Sequence, residues 1–404
     1  MAAHAGENRL SAAQENDAIA EKRINAMPQM IGFGSSSATT RDAFRDQLRA
    51  AYEEEKAAGD QATSFSIGCL LFWMSVHRNV PLEETTQLGP KRFTHGPVRR
   101  QAKSRDTAQV FSVAVKGIEP DLGFQWPLEV YGFVAVRDNL DSRRNMIFRR
   151  DRNNCQTLTA EDSSLVLTGP NRAVVAGDII YFEVELKVKG TRESEDKMLT
   201  FLCIDHNCIG ARSSYGKLFR EIHTNRYCTT ELLFAQLRVA VEATVDVKVV
   251  EGLRNPFCLR IIARTKSFPD DDFVLFDSRG GGIVESDEGM IILSRSVVSV
   301  ESDGELILFA EAREPNSSAV VSTITLTPKI ESTSDGLFNL GFCKMEVCDH
   351  LLPLHGSGQL TPRMNPEYTY GEPILIAEAR ETESTTFVVS DTIILTPKRD
   401  GATD

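Results

Sequence analysis

Two short segments of the chain combine cysteine with histidine, the residue types that bind zinc. CIDHNC (203–208) and CKMEVCDH (343–350) each contain two cysteines and one histidine. Zinc-binding cysteines are usually separated by about two to four residues on a tight turn. The gap here is four residues, and the flanking sequence is typical of strands, where residues five apart point to opposite faces. The cysteines are therefore predicted to be small core residues and not metal ligands.

Other groups with catalytic potential are isolated. His95 lies in RFTHGP beside a glycine and a proline and is predicted to be a hydrogen-bonded loop residue. Asp270 and Asp272 could serve a glycosidase only by facing each other across a cleft, and they are predicted to lie in a solvated loop. SRGGGI (278–283) lacks the Gly-Lys-Ser/Thr of a phosphate-binding loop. The sequence predicts no catalytic, cofactor-binding or metal-ligating residue and no cofactor.

The elements that would position a site are predicted to be strands. VEATVDVKVV (241–250) and FEVELKV (182–188) alternate apolar with polar residues, which is the pattern of a strand with one buried face. Strands with one dry and one wet face are typical of antiparallel sheets. About a dozen such segments follow residue 108, separated by turn residues. The predicted fold is an all-β antiparallel sandwich.

The end of the chain contains a repeat. GELILFAEAREPNSSAVVSTITLTPK (304–329) returns as GEPILIAEARETESTTFVVSDTIILTPK (371–398). Each copy reads as two strands, and Asp303-Gly304 predicts a hairpin turn before the first copy. Two copies are too few for a solenoid. The second copy is therefore predicted to be a peripheral hairpin, added to a sheet edge or exchanged with the first.

The predicted organisation has four parts. Residues 1–60 form a helical or disordered extension, in which Thr40 caps a helix that ends near Gly59. Residues 61–107 form a connecting segment that packs on the main domain, and 108–352 form the β-sandwich. Residues 353–404 form the duplicated hairpin extension.

Composition excludes some classes of function. The net charge of −12 disfavours general nucleic-acid binding, which needs a basic surface, and the basic run RRNMIFRRDR (143–152) is predicted to be a solvated strand face and turn. The N-terminal sequence lacks the apolar segment of a secretory signal. The longest apolar run, FSIGCLLFWMSV (65–76), is too short to cross a membrane and is predicted to lie in the core. A cytoplasmic or nuclear protein with eight reduced cysteines is expected.

The segment GFQWPLEVYGFVAVRDNLDSRRNMIFRRDRNNCQTLTAEDSSLVLTGPNRAVVAGDIIYFEVELKVKG (123–190) resembles an uncharacterised domain family of cereals. That domain also forms the C-terminal part of some jasmonate-induced ribosome-inactivating proteins. The resemblance extends over roughly 80–350 and includes LEETTQLGPKRFTHGP (82–97) and LGFCKMEV (340–347). It implies a plant protein of stress or defence. The family has no assigned chemistry, so the resemblance supplies no catalytic residues.

The resemblance raises the question of ribosomal RNA N-glycosylase activity. Those enzymes place Glu and Arg three residues apart on a helix. The match here, Glu251 and Arg254, has an intervening glycine and a following Asn-Pro, which argue against a helix. Only about a hundred residues precede the sandwich, too few for such a catalytic domain. The chain is predicted to lack a glycosylase domain and to be no enzyme.

Two functions from different classes follow. The favoured one is a non-catalytic binding or regulatory module whose loops or edges contact another protein, without membrane association. The alternative is a sandwich that binds or hydrolyses carbohydrate, with a glycan or small molecule as ligand. Sugar-binding sandwiches usually expose aromatic residues, whereas this chain has two tryptophans, and Trp126 is predicted to pack in the core or at an edge.

Overall fold

The computed structural model describes residues 38–90, 104–252, 257–278, 286, 289–315, 317–328, 333–352, 380–381, 387–389 and 393–395. Within these ranges most residues belong to strands, and every pairing between the named strands is antiparallel. The predicted all-β fold is confirmed.

A helical hairpin precedes the strands. It consists of α1 (Ala38–Ala57) and α2 (Gln61–Val76). Gly59 has a φ of +78° between the two helices, a conformation that glycine adopts without strain. Asp60 then caps α2, because its Oδ1 accepts the Thr63 backbone N–H at 3.0 Å. Thr40 was predicted to cap α1, but the helix already begins at Ala38.

The central sheet has seven strands: β1 (Arg105–Ile118), β5 (Val174–Val175), β8 (Leu218–Thr224), β9 (Cys228–Glu251), β12 (Val297–Glu301), β15 (Thr333–Asn339) and β16 (Lys344–Leu352). Strand β9 is the long spine of this sheet. Its first half pairs with β1 and β8, and its second half pairs with β12 and β16.

Two smaller sheets accompany it. The first outer sheet contains β2 (Leu128–Arg137), β3 (Asn145–Arg150), β4 (Gln156–Leu158), β6 (Ile179–Val188) and β7 (Lys197–Asn207). The second outer sheet contains β10 (Cys258–Thr265), β11 (Phe268–Asp277), β13 (Leu306–Arg313) and β14 (Val320–Leu326).

The two outer sheets pack on opposite faces of the central sheet. In β9, Leu232 and Phe234 lie in one hydrophobic core together with Phe182 of the first outer sheet. Ala235 and Leu237 lie in the other core, which includes the second outer sheet. Alternate residues of a strand project to opposite faces, so β9 takes part in two sandwiches. The first sandwich consists of the central sheet and the first outer sheet, and the second consists of the central sheet and the second outer sheet.

This layering corrects the prediction of one wet face per strand. Glu183 and Glu185 of β6 and Glu242 of β9 were expected in solvent, but all three are buried. The reason for β6 is that α2 covers its polar face, as the contact between Cys69 of α2 and Cys203 of β7 shows. The pattern of a single strand cannot reveal a layer contributed by a distant segment.

The first copy of the repeat supplies β13 and β14, which pair with each other in the second outer sheet. The turn at Asp303-Gly304 does not form the predicted hairpin. It carries the chain from β12 in the central sheet to β13 in the second outer sheet. From the second copy, the structure describes β17 (Arg380–Glu381), β18 (Phe387–Val389) and β19 (Ile393–Leu395), which pair with one another.

Candidate functional site

Two segments of the region that resembles the cereal family contact each other in the protein interior. They are RDNLDSRRN (137–145) and LTGPNRAVV (167–175). Arg172 donates two hydrogen bonds to Asp138, Nη1 to Oδ2 at 2.6 Å and Nη2 to Oδ1 at 2.8 Å. Both side chains are buried. The Asp138 carboxylate also accepts the backbone N–H of Val175, so this pair fixes the loop after β2 to the start of β5.

Further polar contacts tie these loops to the central sheet. Glu242 of β9 accepts the Ala173 backbone N–H at 2.7 Å. Arg295 donates to the carbonyl oxygens of Gly169 and Val110 at 2.7 and 2.6 Å, and its guanidinium lies 3.6 Å from the centroid of the Phe273 ring. Burial lowers the pKa of Arg295 to about 9. We call this set, Asp138, Arg172, Glu242 and Arg295, the polar hub.

A second ionic group lies beneath α2. Arg137 contacts Glu183 through Nε, and Arg144 donates from Nε to the same carboxylate at 2.6 Å. Trp73 of α2 covers the Arg137 guanidinium at 4.0 Å from the ring centroid, a cation–π contact inside the protein. Arg137 also donates to the carbonyl oxygen of Leu82. We call Arg137, Arg144 and Glu183 the arginine clamp, since they hold the hairpin and the following segment on the first outer sheet.

Burial and charge set the protonation of this region. Burial raises the pKa of Glu183, but Arg137 and Arg144 outweigh it and lower that pKa to about 2. Glu185 lies two residues further along β6, and burial raises its pKa. Burial, followed by the positive charge of Arg137, lowers the pKa of His77 to about 4. Glu183 is therefore ionised and His77 neutral at pH 7.

These groups suit a structural role better than catalysis. The carboxylates of Asp138 and Glu183 are buried and engaged by arginines, whereas a general acid or base needs access to a reacting group. Glu185 is the exception, because its buried Oε2 has no hydrogen-bond partner. The chemistry that the arrangement supports is the fixing of loops and of the hairpin.

The basic run 143–152 is not the solvated face that was predicted. Arg144 is buried in the arginine clamp, Arg143 donates to Glu84 at 2.6 Å, and Arg152 donates to Asp196 at 2.7 Å. Carboxylates of the chain thus neutralise three arginines of the run.

The cysteine and histidine segments do not converge on a metal site. Cys203 and Cys208 are buried, and His206 packs edge-on against Phe219 and Phe234 with ring centroids 4.7 and 4.9 Å away. Cys343 is buried as well. Across the described residues, no group of three or more His, Cys, Asp or Glu side chains is arranged to hold a metal ion. None of the eight cysteines, all of which lie in the described ranges, forms a disulfide.

The acidic pair occupies a different setting from the predicted loop. Asp270 and Asp272 lie within β11, and Asp272 is paired with Arg260 and Arg264 of the adjacent β10 at 3.0 and 2.8 Å. This engagement leaves no pair of carboxylates facing each other across a cleft at these two positions.

The remaining candidates are only partly described. Glu251 ends β9 and accepts Lys344 Nζ at 2.6 Å. Arg254, His95 and 279–283 lie outside the described residues. Trp126 packs partly buried against the first core, as predicted from the sequence.

The surface feature that sequence reasoning missed is the edge strand β14. It pairs with β13 on one side, and its other side has no strand partner among the described residues. Its sequence, VVSTITL, contains no charge and no proline. Val321 is 58% exposed. The uncharged stretch was visible in the sequence, but its position at a sheet edge was not.

No helix in the described ranges has the length and hydropathy that a bilayer crossing requires.

Comparison with solved structures gives likenesses of low TM-score. Human GIVD cytosolic phospholipase A2 is 11% identical with a TM-score of 0.22, and the match covers 63% of this chain and 31% of that one. The calcium-bound C2A and C2B domains of Extended-Synaptotagmin 2 are 11% identical with a TM-score of 0.21, covering 63% of this chain and 98% of that one. The chain thus spans about a third of the phospholipase. Likenesses of this size carry no argument about function.

No curated protein matches the chain. A family match extends over residues 107–348, from β1 into β16, and so includes more than half of the chain and every residue of the polar hub. The chain belongs to the DUF6598 family, a domain of unknown function.

Proposed function

We propose that the protein is a non-catalytic plant protein-binding or regulatory module of stress or defence, without its own ribosomal RNA N-glycosylase domain. The plant and defence context rests on the resemblance of 123–190 to the cereal family described above. The observation that supports protein binding is strand β14, an uncharged edge strand with an exposed apolar side chain, Val321.

Edge strands expose backbone N–H and C=O groups that pair readily with other chains. Natural proteins therefore protect such edges with charges, prolines or short strands. Strand β8 is an edge of the central sheet and follows that rule, since it contains Arg220 and Glu221. Strand β14 has seven residues and no such protection. An extended segment of a partner could pair with it as an added strand, with Val321 giving side-chain contact.

Two strands expose apolar side chains at this edge of the second sandwich, Val321 on β14 and Leu337 on β15. β14 ends one sheet and β15 ends the other, and they meet through the Asn339 N–H, which donates to Ser322 Oγ at 3.0 Å. Leu337 of β15 is 52% exposed. The partner that fits this edge is an extended peptide with apolar residues in alternation, because it would satisfy both the backbone groups and the exposed side chains.

The test compares two substitutions at equal exposure. Val321 and Ile222 are 58% and 57% exposed, on the unprotected β14 and the protected β8. Tagged wild-type protein and the Val321→Lys and Ile222→Lys variants are used for affinity purification from cereal extract, with quantitative mass spectrometry. We expect a partner that Val321→Lys loses and Ile222→Lys retains. Equal capture by all three proteins would overturn the assignment of the edge.

A glycan array run on the same proteins distinguishes the carbohydrate alternative. Specific glycan binding without a protein partner would replace the proposal. Stronger capture after removal of residues 353–404 would show that the C-terminal extension, rather than a partner, occupies β14 in the full chain.

A further inference from the structure

The helical hairpin meets the family domain through two thiols. Cys69 lies on α2 and Cys203 on β7, 134 residues apart in the chain, and their Sγ atoms are 3.1 Å apart. Both side chains are buried, at 5% and 1% exposure. A disulfide needs an Sγ–Sγ distance of about 2.05 Å, so the two sulfurs need to approach by only about 1 Å.

The contact joins the region of the family match to a helical segment that lies outside that match. Cys203 lies within the family match of 107–348, whereas the hairpin with Cys69 precedes it. One turn after Cys69, Trp73 covers Arg137 of the arginine clamp. A bond between the thiols would therefore fix α2 of the hairpin to β7, beside its contact with the arginine clamp.

We propose that Cys69 and Cys203 are a modification site, oxidised by a peroxide to an intramolecular disulfide that locks the helical hairpin onto the first outer sheet. One thiol reacts with the peroxide, whose O–O bond breaks, to give a sulfenic acid and water. The second thiol then attacks the sulfenic sulfur, which releases a second water and forms the S–S bond. Two thiols lose two electrons and two protons in total, and the peroxide receives them.

The surroundings keep the pair reduced until the hairpin opens. The contact with Cys69, together with burial, raises the pKa of the Cys203 thiol well above its ordinary value, and the thiolate is the form that reacts. Opening of α2 exposes both sulfurs to the oxidant, and reclosure brings them together. Oxidation then stabilises the closed hairpin by linking distant parts of the chain.

The experiment uses the full chain. Exposed thiols such as Cys258 are first blocked with N-ethylmaleimide under native conditions, and hydrogen peroxide is then added. Peptides from a non-reducing digest are analysed by mass spectrometry, and thermal unfolding is recorded with and without reductant. We expect a linked peptide pair containing Cys69 and Cys203, lighter by two hydrogen atoms, and a Tm that is several degrees higher in the oxidised protein.

A matched substitution controls for the loss of a buried thiol. Cys69→Ala should abolish both the linked peptide and the Tm difference. Cys228→Ala should retain both, because the Cys228 thiol is buried but contacts the carbonyl oxygen of Leu199 at 3.3 Å. Recovery of Cys69 and Cys203 as unlinked peptides from oxidised wild-type protein, or linkage of either to another cysteine, would overturn the proposal. This readout does not depend on whether a variant folds.

Discussion

Asp138 and Arg172 form a two-point ion pair, at 2.6 and 2.8 Å, between side chains that are both removed from solvent. Removing one partner of such a pair strands a charge in the interior, which costs more than the pair itself contributes. The hub thus makes the register of the loops around β5 sensitive to single changes.

The first prediction tests this pair. Asp138→Asn keeps the shape of the side chain but leaves the Arg172 charge uncompensated, and it should lower the free energy of unfolding by about 3–5 kcal/mol. The matched change Asp272→Asn removes a carboxylate from partly exposed pairs with Arg260 and Arg264 and should cost less than about 1 kcal/mol. Urea denaturation measures both. Equal losses at the two sites would contradict the role of the hub.

The second prediction uses two glutamates on one strand. The folded-state pKa of Glu183 is lowered from 4.5 to about 2, so its ionised form stabilises the fold above about pH 4.5 and that contribution is lost as the pH falls through about 2. Glu183→Gln should therefore lower the free energy of unfolding by about 3–5 kcal/mol at pH 7. It should also weaken the fall of that free energy as the pH drops below about 4.5.

Glu185→Gln should act in the opposite direction. Burial raises the folded-state pKa of Glu185, so this residue favours the folded state at low pH and disfavours it as the pH rises through that pKa. The glutamine variant should have a higher free energy of unfolding than wild type at pH 7. This difference between variant and wild type should be smaller at pH 4. Urea denaturation at both pH values checks the two variants. A loss at pH 7 for Glu185→Gln would show that its charge has a partner that matters.

These carboxylates also show where sequence reasoning reached its limit. The alternation in 182–188 correctly located β6 and its apolar face, because a period of two depends only on the strand itself. The burial of Glu183 depends on Trp73 and Arg137, which lie far away in the sequence. Likewise, no local pattern indicates that Asp138 meets Arg172. Pairing of this kind follows from the fold and is invisible in a single sequence.

The first copy of the repeat shows a second limit of prediction from the sequence. The first copy of the repeat was correctly predicted to form two strands, now β13 and β14. The turn at Asp303-Gly304 was predicted to close a hairpin, since the dipeptide has the required conformational freedom. Turn chemistry specifies a reversal of the chain, but the choice of sheet for the following strand depends on the contacts of β13 with β10.

The third prediction concerns His77. Its folded-state pKa is lowered from 6.5 to about 4, so the unfolded chain takes up a proton before the folded protein does. The stability that neutral His77 contributes is therefore fully present above about pH 6.5 and is lost as the pH falls to about 4. His77→Phe, which retains an aromatic ring stacked on Trp73, should reduce this slope. His206 and His223 also have lowered pKa values, each through burial, and their contribution should persist. An unchanged slope in denaturation series across this range would refute the role of His77.

The fourth prediction concerns the absence of glycosylase activity. Translation in a cell-free lysate should continue at concentrations of this protein that would saturate a ribosome-inactivating enzyme. The sequence match, Glu251, is exposed at the end of β9 and paired with Lys344. Depurination of ribosomal RNA is measured directly, with Glu251→Ala as the matched variant. Depurinated RNA that appears with wild type and disappears with the variant would refute the non-catalytic proposal.

The last prediction concerns the repeat and the position of its two copies. β16 ends at Leu352 and completes the pairing of β9 on one side, while the described strands of the second copy pair with one another. A chain that stops after residue 352 retains both cores and should show nearly unchanged thermal unfolding. A chain that stops after residue 328 also lacks β15 and β16, and with them Phe338, which is buried in the second core. Loss of that side chain and of two central-sheet strands should unfold the second sandwich. If the longer truncation product unfolds as well, the second copy is an integral part of the domain and its peripheral assignment is wrong.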